Sequence, residues 1–237
     1  MKYIYFNILV ILTLFLFIPK TYSSDRNTKT YSYKNFNAVE VSSGMNLKVT
    51  QSDSYSIEVT ADQDDFKHLI VEKDGNSLKF YIKRDFFLFN WGRHHKIDVN
   101  IKMPSLTGLS LSGGSTANIT MDVSSKDFSA ELSGGSSING NLKCGNIEFE
   151  LSGGSVAELS GNGKNLKAEG SGGSIFKLKN FSVIDVDSDL SGGSQVFVTM
   201  NGTLNTEQSG GSHLTYYGSA SLGNTDFSGG SGVSKGR

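Results

Sequence analysis

The chain has 237 residues, a formal net charge of −1, 28 glycines, two prolines and one cysteine. Nothing in the near-neutral balance points to nucleic acid, whose binders show a clustered basic face, and a lone Cys144 excludes an internal disulfide. Abundant glycine with scarce proline and regularly spaced apolar residues excludes a flexible linker and indicates an ordered array with many tight turns.

In chain order, Lys2 opens a short basic stretch, and an apolar run from Ile4 to Ile18 follows, broken only by Asn7 and Thr13. A membrane-spanning helix needs about 20 apolar residues, so the run is short for an anchor. Thr21-Tyr22-Ser23 supplies small residues for cleavage after Ser23. The pattern predicts a secretory signal peptide over residues 1–23 and export to the periplasm, the outer surface or the medium. No cysteine follows the run to carry a lipid. Cleavage removes Lys2 and Lys20, leaving 20 basic against 23 acidic side chains. No other apolar segment is long enough to cross a membrane, so none is expected in the mature chain.

Residues 30–104 alternate apolar and polar side chains, as in Val39-x-Val41, Leu47-x-Val49, Ile57-x-Val59, Leu78-x-Phe80-x-Ile82 and Ile97-x-Val99-x-Ile101. Period 2 is the signature of half-buried strands. Ser43-Gly44 and Asp74-Gly75-Asn76 mark turns. Between these strands lies a segment dense in aromatics, Phe86, Phe87, Phe89 and Trp91, followed by His94 and His95. It is expected either to fold over the solenoid as a cap or to offer an aromatic patch to a partner. Adjacent histidines on a strand point to opposite faces, and His68 and His213 are far away in sequence, so zinc binding has little support.

From residue 105 the sequence repeats. Ser-Gly-Gly-Ser begins at Ser112, Ser133, Ser152, Ser171, Ser191, Ser209 and Ser228, seven copies 18 to 21 residues apart. A fixed period of this length means one supersecondary unit per copy, stacked on its neighbours. Apolar or small residues recur at alternate positions on both sides of each turn, for example Phe149 and Leu151 before one copy and Ala157 and Leu159 after it. The unit therefore reads as strand, Gly-Gly turn, strand and a variable Asn/Gly-rich corner. The predicted fold is all-β: a single-stranded, right-handed parallel β-helix with coils of about 19 residues, stacked at about 4.8 Å. Residues 24–237 are expected to form one domain, with 30–104 as irregular first coils and 105–237 as regular ones. Glycine is required where the turn needs positive φ or close backbone approach, and the flanking serines are expected to form hydroxyl ladders.

Stacking turns one repeated position into a row. Two residues before each tetrapeptide stand Ser110, Glu131, Glu150, Glu169, Asp189, Glu207 and Asp226. In register, adjacent carboxylates about 5 Å apart repel by about 0.8 kcal/mol in a water-like dielectric. Such a row keeps a face soluble and discourages lateral sheet association, or it binds cations or a basic partner. Asp185, Asp187 and Asp189 resemble the start of a calcium loop, but Leu190 replaces the glycine that such a loop requires and Val196 its bidentate glutamate. No calcium site, cofactor or other metal is expected.

Phe36-x-x-Val39-x-Val41, Met103-Pro104-x-Leu106 and the Gly/Ser-rich coils that follow resemble the bacterial "putative auto-transporter adhesin, head GIN domain" family. The resemblance covers nearly all of the mature chain. It implies a right-handed β-helix in an exported protein and, by the family's name, adhesion; it supplies no catalytic residues. No C-terminal β-barrel pattern follows the repeats, so self-translocation is not expected of this chain.

Enzyme signatures such as the Gly-x-Ser-x-Gly elbow, the phosphate loop and His-Glu-x-x-His are missing. The expected function is a non-catalytic, adhesin-like binding or scaffold protein of the cell envelope. Its partner would be a surface glycan or protein, or a further copy met through the solenoid ends. The alternative is a polysaccharide lyase or hydrolase built on the β-helix, with paired carboxylates drawn from the acidic row.

Overall fold

A computed structural model of the chain describes residues 26–83 and 96–237. The predicted signal peptide and the aromatic segment with Phe86, Phe87, Phe89 and Trp91 lie outside the described residues. The fold is a parallel β-solenoid of two facing sheets, of 11 and 10 strands.

Each Ser-Gly-Gly-Ser joins a strand of one sheet to a strand of the other. The N-terminal part holds β1 (Arg26–Tyr31), β2 (Ala38–Val41), β3 (Asn46–Gln51), β4 (Ser56–Asp62), helix α1 (Gln63–His68), β5 (Leu69–Asp74), β6 (Ser77–Ile82) and β7 (Asp98–Met103). The regular coils are β8 (Gly108–Leu111) with β9 (Thr116–Val123), β10 (Phe128–Leu132) with β11 (Ser137–Cys144), and β12 (Ile147–Leu151) with β13 (Val156–Asn162). They continue as β14 (Asn165–Gly170) with β15 (Ile175–Val183), β16 (Asp185–Leu190) with β17 (Gln195–Met200), β18 (Thr203–Gln208) with β19 (His213–Gly218), and β20 (Ser221–Phe227) with β21 (Gly232–Lys235). Even-numbered strands from β8 stack in parallel in one sheet and odd-numbered strands from β9 in the other. The repeat period in sequence is thus one circuit of the rod.

The alternating residues of both sheets meet in one core. Inward rows such as Leu132–Leu151–Gly170–Leu190 and Ala157–Phe176–Val196 run along the axis. Gly170 breaks a row of leucines because Phe176 comes in from the opposite sheet: a Cβ at Gly170 would stand 2.9 Å from the Phe176 ring. Phe128, Phe149 and Phe176 stack edge to face, with centroids 6.5 and 6.2 Å apart. Toward the last coils the core turns polar. Ser188 donates to Thr206 Oγ1 at 2.8 Å, and Gln208, 4 % exposed, donates to the same oxygen at 3.0 Å. Among the described residues Gln208 Oε1 has no partner. A buried unpaired acceptor costs about 1–3 kcal/mol. Gln208→Leu, which restores the leucine of the row, is therefore expected to raise the Tm by a few degrees; an unchanged or lower Tm in a thermal melt would show that this acceptor is satisfied in solution.

The turns refine the expected serine chemistry. The second serine bonds within its own turn: Ser115 Oγ donates to the Ser112 carbonyl at 2.8 Å, and Ser136, Ser155, Ser174 and Ser194 do the same in their copies. In the last two copies Ser212 and Ser231 also reach along the rod, to Leu190 O at 3.2 Å and Gln208 O at 3.0 Å. Most inter-coil bonds at the turns come from the backbone, as in Ser133 N–H to Leu111 O and Ser152 N–H to Leu132 O, both 2.9 Å. In the first three copies both glycines have positive φ; from the fourth on only the first does. From the fifth copy on the second glycine donates its N–H to the coil below, as Gly193 to Gly172 O at 2.6 Å and Gly211 to Gly192 O at 2.6 Å.

The N-terminal part departs from a plain run of coils. β2 and β3 stack in parallel on β8 and β9, and β6 and β7 stack on β2 and β3 from the other side. Beyond them the direction reverses: β5 pairs antiparallel with β6, β4 with β7 and β1 with β4. Reversed strands cannot continue the winding, so they cover the open edges of the two sheets. β1 is fastened by Arg26, whose guanidinium meets Asp98 at 2.6 Å. Burial pushes the Asp98 carboxyl up, but hydrogen bonds from Asn46 and Arg26 and the charge of Arg26 outweigh it and hold it below its ordinary value. A depressed carboxyl stabilises the fold above its unfolded pKa of about 3.9 and loses that contribution as pH falls through the folded value. Amide exchange in β1 is therefore expected to accelerate at pH 3 relative to pH 6, by an amount set by no more than about 1 kcal/mol. Arg26→Ala should remove most of this dependence; a β1 equally protected at both pH values in the native protein would contradict it.

At the other end, β20 is exposed along its whole length, with Leu222 58 % and Phe227 43 % exposed.

Candidate binding faces

The strand register places the acidic position in one row. Glu131 lies opposite Ser110 and Glu150, Glu150 opposite Glu169, Glu169 opposite Asp189, Asp189 opposite Glu207, and Glu207 opposite Asp226. From Ser110 to Glu207 they stand on the outer face of the 10-stranded sheet, because the residues on either side of each in its strand point into the core, and Asp226 continues the row on the exposed β20. The row borders an open groove whose other wall is the first serine of successive turns, Ser133, Ser152, Ser171 and Ser191.

One cation enters the row. Lys167, between the strands of Glu148 and Asp187, bonds Glu148 at 2.7 Å and Glu169 at 2.8 Å. Its ammonium is held well above the ordinary lysine value, first by the hydrogen bond to Glu148 and then by that to Glu169. Glu169 is thereby partly neutralised, while Glu131, Glu150, Asp189, Glu207 and Asp226 meet no Lys or Arg within 4 Å among the described residues. Asp187 accepts from Asn205 Nδ2 at 2.8 Å, and Asp185 accepts from Thr203 N–H at 2.7 Å. These aspartates serve the neighbouring coil instead of converging on a point. Among the described residues no three His, Cys, Asp or Glu side chains gather closely enough to hold a metal ion.

Sequence reading missed how far the row extends. Ser110 is followed by Glu40, then Lys79 and Glu72. Lys79 meets Glu40 at 3.6 Å and Asp74 at 3.0 Å, so the added end carries its own counter-charge. The signal was present in Val39-Glu40-Val41-Ser42-Ser43-Gly44, which repeats the pattern of Leu151 and its neighbours with one glycine changed to serine. Ser43 has φ 66° and Gly44 73°, the backbone of the Gly113-Gly114 turn. His213 bonds Ser234 Oγ at 2.9 Å on the opposite sheet, away from the acidic row. Cys144 is buried, and its thiol is pushed up to about 12, by burial first and by Asp127 second, so it is no nucleophile.

Comparison with known proteins places this geometry. No curated protein matches the chain. Among solved structures, a putative adhesin from Bacteroides fragilis aligns with a TM-score of 0.78 at 16 % identity, covering 90 % of this chain and 98 % of that one. A putative lipid binding protein from Parabacteroides distasonis gives 0.71 at 16 % identity, covering 91 % and 98 %, and a putative adhesin from Parabacteroides merdae 0.67 at 17 %, covering 91 % and 98 %. At these identities the likeness shows the fold. The profile of one family matches residues 35–220, from the strand before the first turn to the start of the last coil. The chain belongs to that family, described as putative auto-transporter adhesin, head GIN domain.

Proposed function

We propose that the chain is an exported, non-catalytic protein of the bacterial cell envelope that adheres to a repetitive surface partner, with the solenoid as its rigid scaffold. One observation carries this reading: carboxylates at one repeat position line up on consecutive strands beside an open groove. A face that offers the same group at fixed spacing suits a partner that also repeats, because each further contact forms at high effective concentration. Its charge selects a cationic or cation-bridged polymer, and the same charge keeps the sheet from pairing laterally. Membership of an adhesin family supports the reading. Catalysis fits less well. A glycosidase needs two carboxylates whose surroundings set their roles apart, whereas this row, apart from Glu169 beside Lys167, repeats one environment.

Binding of the mature chain to intact cells tests the adhesion. Joint replacement of Glu150, Glu169 and Asp189 by their amides is expected to abolish most of the binding and leave the Tm within a few degrees. Unchanged binding would move the contact elsewhere. Release of new reducing ends from acidic or neutral polysaccharides would overturn the non-catalytic part, and protection of the chain from protease added to intact cells would exclude the outer surface.

A further inference from the structure

We propose that the opposite sheet carries a second site, independent of the acidic row, that binds an anionic saccharide in the groove beside the bulge of β15. The sheet register breaks there. Leu178 lies opposite Val198 and Ser182 opposite Thr199, so Lys179, Asn180 and Phe181 have no counterpart on β17. The Phe181 side chain is buried in the core, which leaves Lys179 and Asn180 exposed on the outer face. The bulge is fixed by Thr199, whose hydroxyl donates to the Lys179 carbonyl at 2.6 Å. Bulges of this kind re-aim side chains next to functional sites.

Two rings meet the bulge. Phe197 stands half-buried on the outer face between Lys177 and Thr215, in a row that is otherwise polar. Tyr217 lies two residues beyond Thr215, diagonal to Phe197 and within reach of a single ring spanning both, at about 7–8 Å. Tyr217 is held in place, with the Lys179 ammonium 4.3 Å from its centroid and the Gly236 backbone so close that a Cβ there would overlap the ring. Lys177 is neutralised by Glu158 at 3.2 Å. Lys179 has no carboxylate within 4 Å among the described residues, so the groove keeps one positive charge without a counter-ion, resting on Tyr217 and beside the half-buried Phe197 ring. Its volume of about 470 Å³ falls within the range of small-ligand sites. An apolar platform, a cation at its rim and an amide at Asn180 match the C–H face, the anionic group and the hydroxyls of a charged pyranose. A neutral sugar would leave Lys179 without a counter-ion, and an apolar ligand would leave the Asn180 amide unsatisfied.

Titration calorimetry of the mature chain with a galacturonic acid trimer, a 6-sulfated galactose trimer and a neutral galactose trimer tests the site. At least one charged trimer is expected to bind ten or more times tighter than the neutral one, and the two charged probes tell whether carboxylate or sulfate is preferred. Lys179→Ala and Phe197→Ala should each weaken that binding tenfold or more with the Tm retained, Lys179→Arg should keep it, and Lys48→Ala, a distant lysine of the same sheet, should leave it unchanged. Equal affinity for charged and neutral trimers, no heat from any probe at 10 mM, or full binding by the Lys179→Ala protein would each overturn the assignment. None of these outcomes depends on the acidic row, whose amide variants are scored by cell binding.

Discussion

Phe176→Ala is expected to lower the Tm by about 6–20 °C. The ring is fully buried, closes the stack that runs from Phe128 through Phe149, and fills the room that Gly170 leaves in the leucine row. Truncating a buried phenylalanine costs about 3–5 kcal/mol where the surroundings cannot collapse, and in a chain of this size each kcal/mol moves the midpoint by about 2–4 °C. Collapse is hindered because both sheets are pinned by backbone bonds to the coils above and below. The two positions are also coupled. Gly170→Leu alone should destabilise by overpacking, yet in the Phe176→Ala background it should recover part of the loss, because the new leucine occupies the vacated volume. A double-mutant cycle by thermal melts reads this directly; strictly additive losses would show that the two residues do not share one space.

The second large effect is expected at Gly140. Its φ is 139°, and a Cβ there would lie on top of the Ile119 carbonyl oxygen of the coil below. That oxygen belongs to the backbone of β9 and cannot turn aside as a side-chain tip can. Gly140→Ala should therefore cost more than about 4 kcal/mol, the range reached only when a structural requirement is broken. Gly135, in the turn of the same coil, is the internal comparison. It also has positive φ but nothing within 4 Å of a Cβ, so Gly135→Ala should cost only the conformational term, about 1–2 kcal/mol. Chemical denaturation of the two variants should rank them clearly. Similar losses would mean that the tight approach of coils at Gly140 relaxes in solution.

The contrast between these glycines marks what the sequence discloses. The pair in each turn announces itself through repetition, and the period, the strands and the acidic row follow from counting, because one circuit of the rod consumes one repeat. The order β4–β7–β3–β9 was not legible. Val59 and Val99 alternate just as Val49 does, and period 2 carries no information on strand direction, so the antiparallel edge reads like further coils. The change of turn after the third copy is invisible for a related reason: the tetrapeptide is identical throughout, and only from the fifth copy on does the flipped peptide bond the carbonyl of the coil beneath. Glu40 was hidden by one substitution, Ser43 for glycine, at a position where serine tolerates the left-handed backbone. The β15 bulge leaves only a slightly longer interval between copies, Ser171 to Ser191, which does not say where the extra residues go.

The aligned register can be measured directly in solution. With Cys144 replaced by alanine, paired spin labels at Glu131 and, in turn, Glu150, Glu169, Asp189, Glu207 and Asp226 report distances along the rod by pulsed electron resonance. The stacked coils predict a ladder in which each step adds about 5 Å, ending near about 24 Å for Glu131 with Asp226. Distances that fail to rise in coil order, or that scatter without a common increment, would contradict the stacking on which every row described above depends.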